Sequence, residues 1–216
     1  MLAAVRVVAI TDVSLLGADP RAAIARAVDG CPAGSVVIQI RAKHLDGAAV
    51  LALARAAAEA APAMPLAIND RVDVALAARI PNVVAVHLPE DGLSIADVRS
   101  LGIQQLAIGA SRHTVDAVAL AVSAGVDLVQ LGPLWNTPGK GPPLGTDALG
   151  AARLHIEQTN HLCRLVAVGG IDSVDRAREA VRGGAHAVAL IRAAWTGASL
   201  APFVTAVSDS GVYLHP

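Results

Sequence analysis

The sequence predicts a single (β/α)8 TIM barrel of the α/β class, occupying residues 1–216 as one domain. Three observations predict it. Eight short apolar runs alternate with eight helical stretches. Several runs are nearly continuous in Val, Ile and Leu, as parallel strands covered on both faces should be. Polar residues cluster at the downstream ends of the runs, where a barrel gathers its strand termini on one face.

The first strand is expected at residues 5–11, ending in Thr11-Asp12-Val13 rather than in a glycine-rich phosphate fingerprint. That ending argues against a doubly wound open sheet. The next strands are expected at 36–40, 66–69, 83–88, 106–110, 128–134, 165–169 and 187–191. Between them, alanine-rich segments with helical spacing fall at 21–28, 48–60, 72–78, 95–101, 115–124, 147–158 and 174–182, with a last helix at 200–207. Asp19-Pro20, Ser94, Thr114, Thr146 and Ser173 stand where helix N-caps belong. Gly30, Gly102, Gly125 and Gly183 stand where helices should stop. No linker, low-complexity stretch or second domain interrupts the pattern.

Composition narrows the function. Of 216 residues, 54% are hydrophobic and only 2% aromatic, so the core must be built from Ala, Val, Leu and Ile. A net charge of −1 and a pI near 6.6 give no reason to expect nucleic acid or an anionic membrane as a partner. No apolar run reaches the ~20 residues of a membrane span. The apolar start, residues 1–10, is too short and strand-like for a signal peptide. Cys31 and Cys163 lack neighbours at metal-ligand spacing and read as reduced structural thiols. The expected compartment is the cytoplasm.

The strand-end clusters carry the chemistry. Gln39, Arg41 and Lys43 alternate, and alternate strand residues face the same way, so all three are expected to point together into the barrel mouth; the bland reading makes Arg41 and Lys43 a solvated strand exit. Asp70, after Asn69, either caps the following helix or binds a hard cation such as Mg2+ beside substrate phosphate. Glu90 and Asp91 offer a further carboxylate. His87, inside an apolar run, reads as a hydrogen-bonded core histidine. Ser111 can bond a phosphate, and His113 can shuttle a proton or donate a hydrogen bond; no nucleophile-elbow motif surrounds them. The loop from Gly132 to Gly145 holds Thr137 and Lys140 among turn-forming glycines and prolines, as a lid over a leaving phosphate would. Trp135 suits either stacking on a ring substrate or rim packing. Gly169-Gly170 offers bare backbone amides after the seventh strand, and Ile191-Arg192 follows the eighth, where barrels often bind phosphate.

Taken together, these motifs resemble the thiamine phosphate synthase family and the related thiazole tautomerases, over roughly residues 8–194. The resemblance implies an enzyme joining a hydroxymethylpyrimidine diphosphate to a thiazole phosphate, releasing pyrophosphate with Mg2+ as cofactor. It implies that Gln39, Arg41, Lys43 and Asn69 hold the pyrimidine diphosphate, with Asp70 on Mg2+. It places Ser111 and Lys140 on the pyrophosphate, and Thr137, Gly169 and Gly170 on the thiazole phosphate. Ile191 and Arg192 complete the substrate-binding set. Lys140, Ser111, Arg41 and His113 are the expected catalytic residues, and Asp91 the second metal carboxylate. Partners are the two small phosphorylated substrates and, as in many relatives, a second copy of the chain.

The chain departs from the family pattern in places. Where relatives read His-Leu-Gly-Gln-Glu-Asp-Leu, it reads His87-Leu88-Pro89-Glu90-Asp91-Gly92-Leu93. The usual second aspartate falls on Gly92, with Asp91 displaced by one. A usual threonine is Gly139, a usual serine is Arg192, and the loop after Lys140 is short. Two rivals follow: a tautomerase acting on a thiazole phosphate carboxylate, with His113 as proton carrier, and a non-catalytic barrel binding a phosphorylated ligand.

Overall fold

The computed structural model describes residues 2–159 and 162–210; the ends of the expected 1–216 domain lie outside them. Eight parallel strands close into a barrel in chain order. They are β1 Val7–Ile10, β2 Val36–Ile40, β3 Leu66–Asn69, β4 Val83–Leu88, β5 Ala107–Arg112, β6 Leu128–Leu131, β7 Arg164–Val168 and β8 Ala187–Leu190. The helices are α1 Val13–Leu16, α2 Pro20–Val28, α3 Gly47–Ala60, α4 Val72–Ala78, α5 Ile95–Ser100, α6 Val115–Ser123, α7 Asp147–Gln158, α8 Val174–Arg182, α9 Arg192–Thr196 and α10 Ala201–Asp209.

Strand alternation divides the apolar residues between two cores. One face of each strand packs on the helices, and there Ile38, Ile40, Leu66, Ile68, Ile108, Leu131 and Leu165 are fully buried. Truncating any of these to alanine should cost about 2–5 kcal/mol. The other face fills the barrel with a smaller set that includes Val8, Val37, Ala67, Ala85, Leu128, Val166, Ala187 and Ala189. The alanines leave room, and the next layer toward the mouth is polar.

Local chemistry fixes the helix starts. Asp19, Ser94, Thr114 and Ser173 each accept a hydrogen bond from a backbone N–H in the first turn. Thr146 sits at the N-cap of α7 without such a bond, because its backbone is already helical. Helix stops use Gly30, Gly102 and Gly125 at positive φ. After α8 the left-handed residue is Gly184 rather than Gly183.

Most other bounds shift by a residue or two, and two strand ends and two helices differ in ways that bear on the site. β5 runs on to Arg112, because Ser111 and Arg112 still pair with Gln130 and Leu131. β6 stops at Leu131, three residues early, where Gly132-Pro133 begins the long loop. The helices α1 and α9 were not expected, being too short to show periodicity.

Candidate active site

The expected site residues lie within the last residues of a strand or just past its carboxyl end, from β2 to β8, so closure of the barrel brings them to one end. Arg41 lies just past β2. Its backbone N–H donates to Thr11 Oγ1 at 2.7 Å, and Thr11 Oγ1 donates to the Arg41 carbonyl at 3.0 Å. Thr11 is fully buried, so this reciprocal clasp pins the chain where the half-buried Arg41 enters the mouth. Because β2 ends at Ile40, strand alternation does not extend to Lys43, which sits exposed in a turn.

Beneath the rim lies a polar layer only partly foreseen. Gln39 is 2% exposed; its Nε2 donates to Asn69 Oδ1 at 3.0 Å, and its Oε1 accepts from Gln130 Nε2 at 2.6 Å. Gln130, on β6, is equally buried and was not singled out in the sequence. The chain Gln130–Gln39–Asn69 spans the barrel interior and commits the Asn69 carbonyl. The Asn69 amide N–H groups remain as donors. Gln39 thus supports Asn69 from below.

His87 is buried, as its apolar run suggests, yet its Nε2 lies 2.8 Å from Ser111 Oγ at the mouth. Burial, followed by the nearby Arg112 charge, lowers its pKa from 6.5 to about 3, so the ring stays neutral. A Cβ at residue 109 would lie 2.7 Å from His87 Nδ1, which explains a glycine there. Next along, the Arg112 guanidinium donates to the Ser111 carbonyl at 2.6 Å. His113 Nδ1 sits 2.5 Å from the Gly132 carbonyl. A carbonyl only accepts, so Nδ1 carries the proton and Nε2 faces Glu90 Oε2 at 3.7 Å.

Asp70 does not cap α4. Its φ is 66°, its own N–H donates to the His87 carbonyl at 2.8 Å, and the N-cap is Arg71, without a side-chain cap bond. The Asp70 side chain is exposed at the mouth. In the turn after β4, the position facing it is residue 92: a Cβ there would lie 3.2 Å from Asp70 Oδ1. That residue is glycine, and Asp91 is an exposed neighbour. Among the described residues no group of three or more His, Cys, Asp or Glu side chains gathers as a metal cage. A lone carboxylate still suits Mg2+, which takes one or two from protein and the rest from phosphate and water.

The long loop after β6 closes at its base, where Leu144 N–H donates to Pro133 O and Gly145 N–H to Leu134 O. Its tip carries exposed Lys140, whose N–H bonds the Thr137 carbonyl; Thr137 Oγ1 donates to Trp135 O at 2.9 Å. This loop rides on the turn after β7 through Leu134 N–H to Val168 O and Trp135 N–H to Gly169 O. Gly169 and Gly170 have φ of 93° and 75°. A Cβ on Gly169 would come within 2.6 Å of Pro133 Cα, and one on Gly170 within 2.5 Å of Trp135 Cβ. Both conformation and space therefore demand glycine. Among the described residues neither glycine N–H has a hydrogen-bond partner. Ile191 and Arg192 stand exposed where β8 passes into α9.

Comparison with known proteins gives a consistent set of names. A family model described as thiamine monophosphate synthase matches residues 7–194. A putative thiamine-phosphate synthase of Geobacter sulfurreducens is 39% identical over 174 residues, covering 77% of this chain and 76% of the relative. The thiamine-phosphate synthase of Chloroflexus aurantiacus is 34% identical over 194 residues, covering 87% and 84%. Among solved structures, a thiamine phosphate pyrophosphorylase from Pyrococcus furiosus superposes with a TM-score of 0.76 over 96% of this chain and 97% of that one; at 21% identity it supports the fold alone.

Proposed function

The chain belongs to the thiamine monophosphate synthase family, and we propose that it couples hydroxymethylpyrimidine diphosphate with thiazole phosphate, yielding thiamine phosphate and pyrophosphate. The observation that carries this reading is that one end of the closed barrel gathers Arg41 and Ser111, from the ends of β2 and β5, with the loop that bears Lys140 and the bare-amide turn of Gly169 and Gly170 on which that loop packs. Two phosphorylated substrates need two cradles.

In this reaction the carbon–oxygen bond of the pyrimidinylmethyl diphosphate breaks, and its electron pair leaves with pyrophosphate. The thiazole nitrogen lone pair then forms the new carbon–nitrogen bond, leaving a cationic ring. No proton need move. The task of the protein is to stabilise negative charge on the leaving group and to aim the nitrogen. Arg41, Lys43 and Lys140 supply fixed positive charge, and Ser111 Oγ, held by neutral His87, supplies a hydrogen bond. The Asn69 amide, oriented by Gln39, donates toward the pyrimidine diphosphate. Thr137, the two glycine amides and Arg192 hold the thiazole phosphate, with Ile191 against the substrate rings. Asp70 would hold Mg2+, which neutralises diphosphate charge when bound; exposed Asp91 assists it. His113, fixed on Gly132 and turned toward Glu90, keeps the Ser111 segment in place. No helix among the described residues is long and apolar enough to cross a membrane, and both cysteines are free, which supports a cytoplasmic enzyme.

The test is an assay of purified protein with both phosphorylated substrates. Pyrophosphate release that EDTA abolishes and Mg2+ restores is expected. Metal-independent isomerisation of a thiazole phosphate carboxylate, or binding without turnover, would replace this reading with a rival. The relatives above bear the synthase name and lend those rivals no support.

A further inference from the structure

One side chain of α8 reaches both the bare-amide turn and the loop that packs on it. Arg176 Nη1 donates to the Gly170 carbonyl at 2.6 Å and to Asp172 Oδ2 at 2.9 Å. Its guanidinium carbon lies 5.7 Å from the centre of the Trp135 ring, within cation–π range. Gly170 belongs to the turn after β7, and Trp135 to the loop after β6. A flat, always-charged guanidinium suits this work: it bonds in its plane and packs a ring on its face.

The bond to Gly170 has a directional consequence. A trans peptide points its carbonyl and its N–H in opposite directions. Holding the Gly170 carbonyl toward Arg176 therefore turns the next N–H, that of Ile171, the other way. The Val168 and Gly169 carbonyls are already held by Leu134 and Trp135, so the Gly170–Ile171 peptide, which follows two glycines at positive φ, is the one that Arg176 is left to fix. The Asp172 contact alone is a half-exposed surface pair and would contribute little. The carbonyl bond and the ring contact together give Arg176 its purchase.

We propose that Arg176 is a positioning residue for the phosphate cradle of the thiazole substrate, fixing the Gly169-Gly170 turn against the Trp135 loop. The inference rests on the proposed function, which places that phosphate on these amides. It predicts an effect confined to one of two substrates, which a merely structural role would not produce.

The experiment compares Arg176→Ala, Arg176→Gln and Arg176→Lys with the unaltered chain. Pyrophosphate release is measured with each substrate varied in turn, and tryptophan fluorescence is titrated with thiazole phosphate and with the unphosphorylated thiazole alcohol. Losing a charge-assisted hydrogen bond should raise the half-saturating thiazole phosphate about 10-fold in Arg176→Ala. The half-saturating pyrimidine diphosphate should stay within about twofold, and Arg176→Lys should recover part of the loss. The preference for thiazole phosphate over the alcohol should shrink by the same factor. Equal effects on both substrates, or no effect in any variant, overturn the inference. Should the alanine variant fail to fold by circular dichroism, the glutamine variant, which keeps a neutral donor, decides by the same criteria. If the unaltered chain itself shows no preference for the phosphorylated thiazole, the cradle assignment falls. If it shows the preference and Arg176→Ala retains it, only the role of Arg176 falls.

Discussion

At the amino end of the barrel, Arg164 donates to the carbonyls of Val5 and His186, at 2.8 and 3.3 Å. His186 Nδ1 accepts from the Leu165 N–H at 2.9 Å, and Arg99 grips Asp127 at 2.6 Å. At the carboxyl end, Asp70 and Lys140 are exposed, and the N–H groups of Gly169 and Gly170 have no partner among the described residues. Both ends are polar, but they spend their polarity differently. Those base contacts run largely to backbone, and among the described residues only the buried Arg164 Nε is left there without a partner. The mouth fixes its supporting groups, Thr11, Gln39, Gln130 and His87, and leaves the outer ones free. Substitutions at the base should therefore move stability, and substitutions at the outer mouth should move turnover.

The largest test of that contrast is Asp70→Asn. Removing one charge-stabilising group should lower pyrophosphate release by about 10²-fold or more. Asparagine tolerates a left-handed backbone well, so the φ of 66° is no obstacle and the melting temperature should hold. Unchanged turnover would remove Asp70 from the metal site. A large loss of stability would put it with the structural set instead.

Gly170→Ala should cross the line between the two classes. A side chain would force φ of 75° on alanine and press on Trp135. The strain should cost about 1–3 kcal/mol, read as a lower denaturant midpoint, and the displaced turn should weaken thiazole phosphate binding in the same protein. An alanine variant with native stability and affinity would mean that the two loops yield easily, contrary to a preformed cradle.

How much of this was legible beforehand depended on whether a signal was local. The bounds of β2, β3 and β4 fall as read, because each is a compact apolar run followed by a polar break. The strand-end clusters were visible for the same reason. Contacts across strands were not. His87 read as core, and nothing in its own run told of Ser111, 24 residues on. Gln130 is a single polar residue in an apolar run, and its meaning appears only when Gln39 is seen opposite. Arg176 lies in the arginine-rich stretch of a surface helix, where nothing marks one arginine from the next. The cap reading of Asp70 failed because a residue at positive φ turns its side chain away from the helix start.

The pH dependence of stability should draw on both ends. His87 at the mouth and His186 at the base each have a pKa lowered from 6.5 to about 3, mainly by burial, with nearby arginines adding to it. A histidine held neutral in the fold binds a proton first in the unfolded chain, so stability is lost as pH falls through 6.5. From pH 7 to pH 5 each should remove about 2 kcal/mol. Urea midpoints at the two pH values measure this. A variant lacking His186 should show a slope about half as steep, and an unchanged slope would mean that His186 is protonated within the fold.

The smallest expected effect concerns residue 92, where the family resemblance implies an aspartate. Residue 92 faces Asp70, and glycine gives it no ligand. Gly92→Asp would set a second carboxylate opposite the first. The backbone permits it, since Gly92 is not among the residues at positive φ. The nearest obstruction is the Pro89 ring, whose Cγ would lie 2.9 Å from the new Cβ and which can shift its pucker. Metal sites tighten as carboxylates are added, so the Mg2+ concentration giving half-maximal turnover should fall severalfold. The melting temperature without metal should drop slightly, because two carboxylates then repel each other across a short gap. The first shift vanishes if Asp70 does not face the metal: the variant and the unaltered chain would then need the same Mg2+ for half-maximal turnover, and the mouth would be drawing its metal from phosphate oxygens alone.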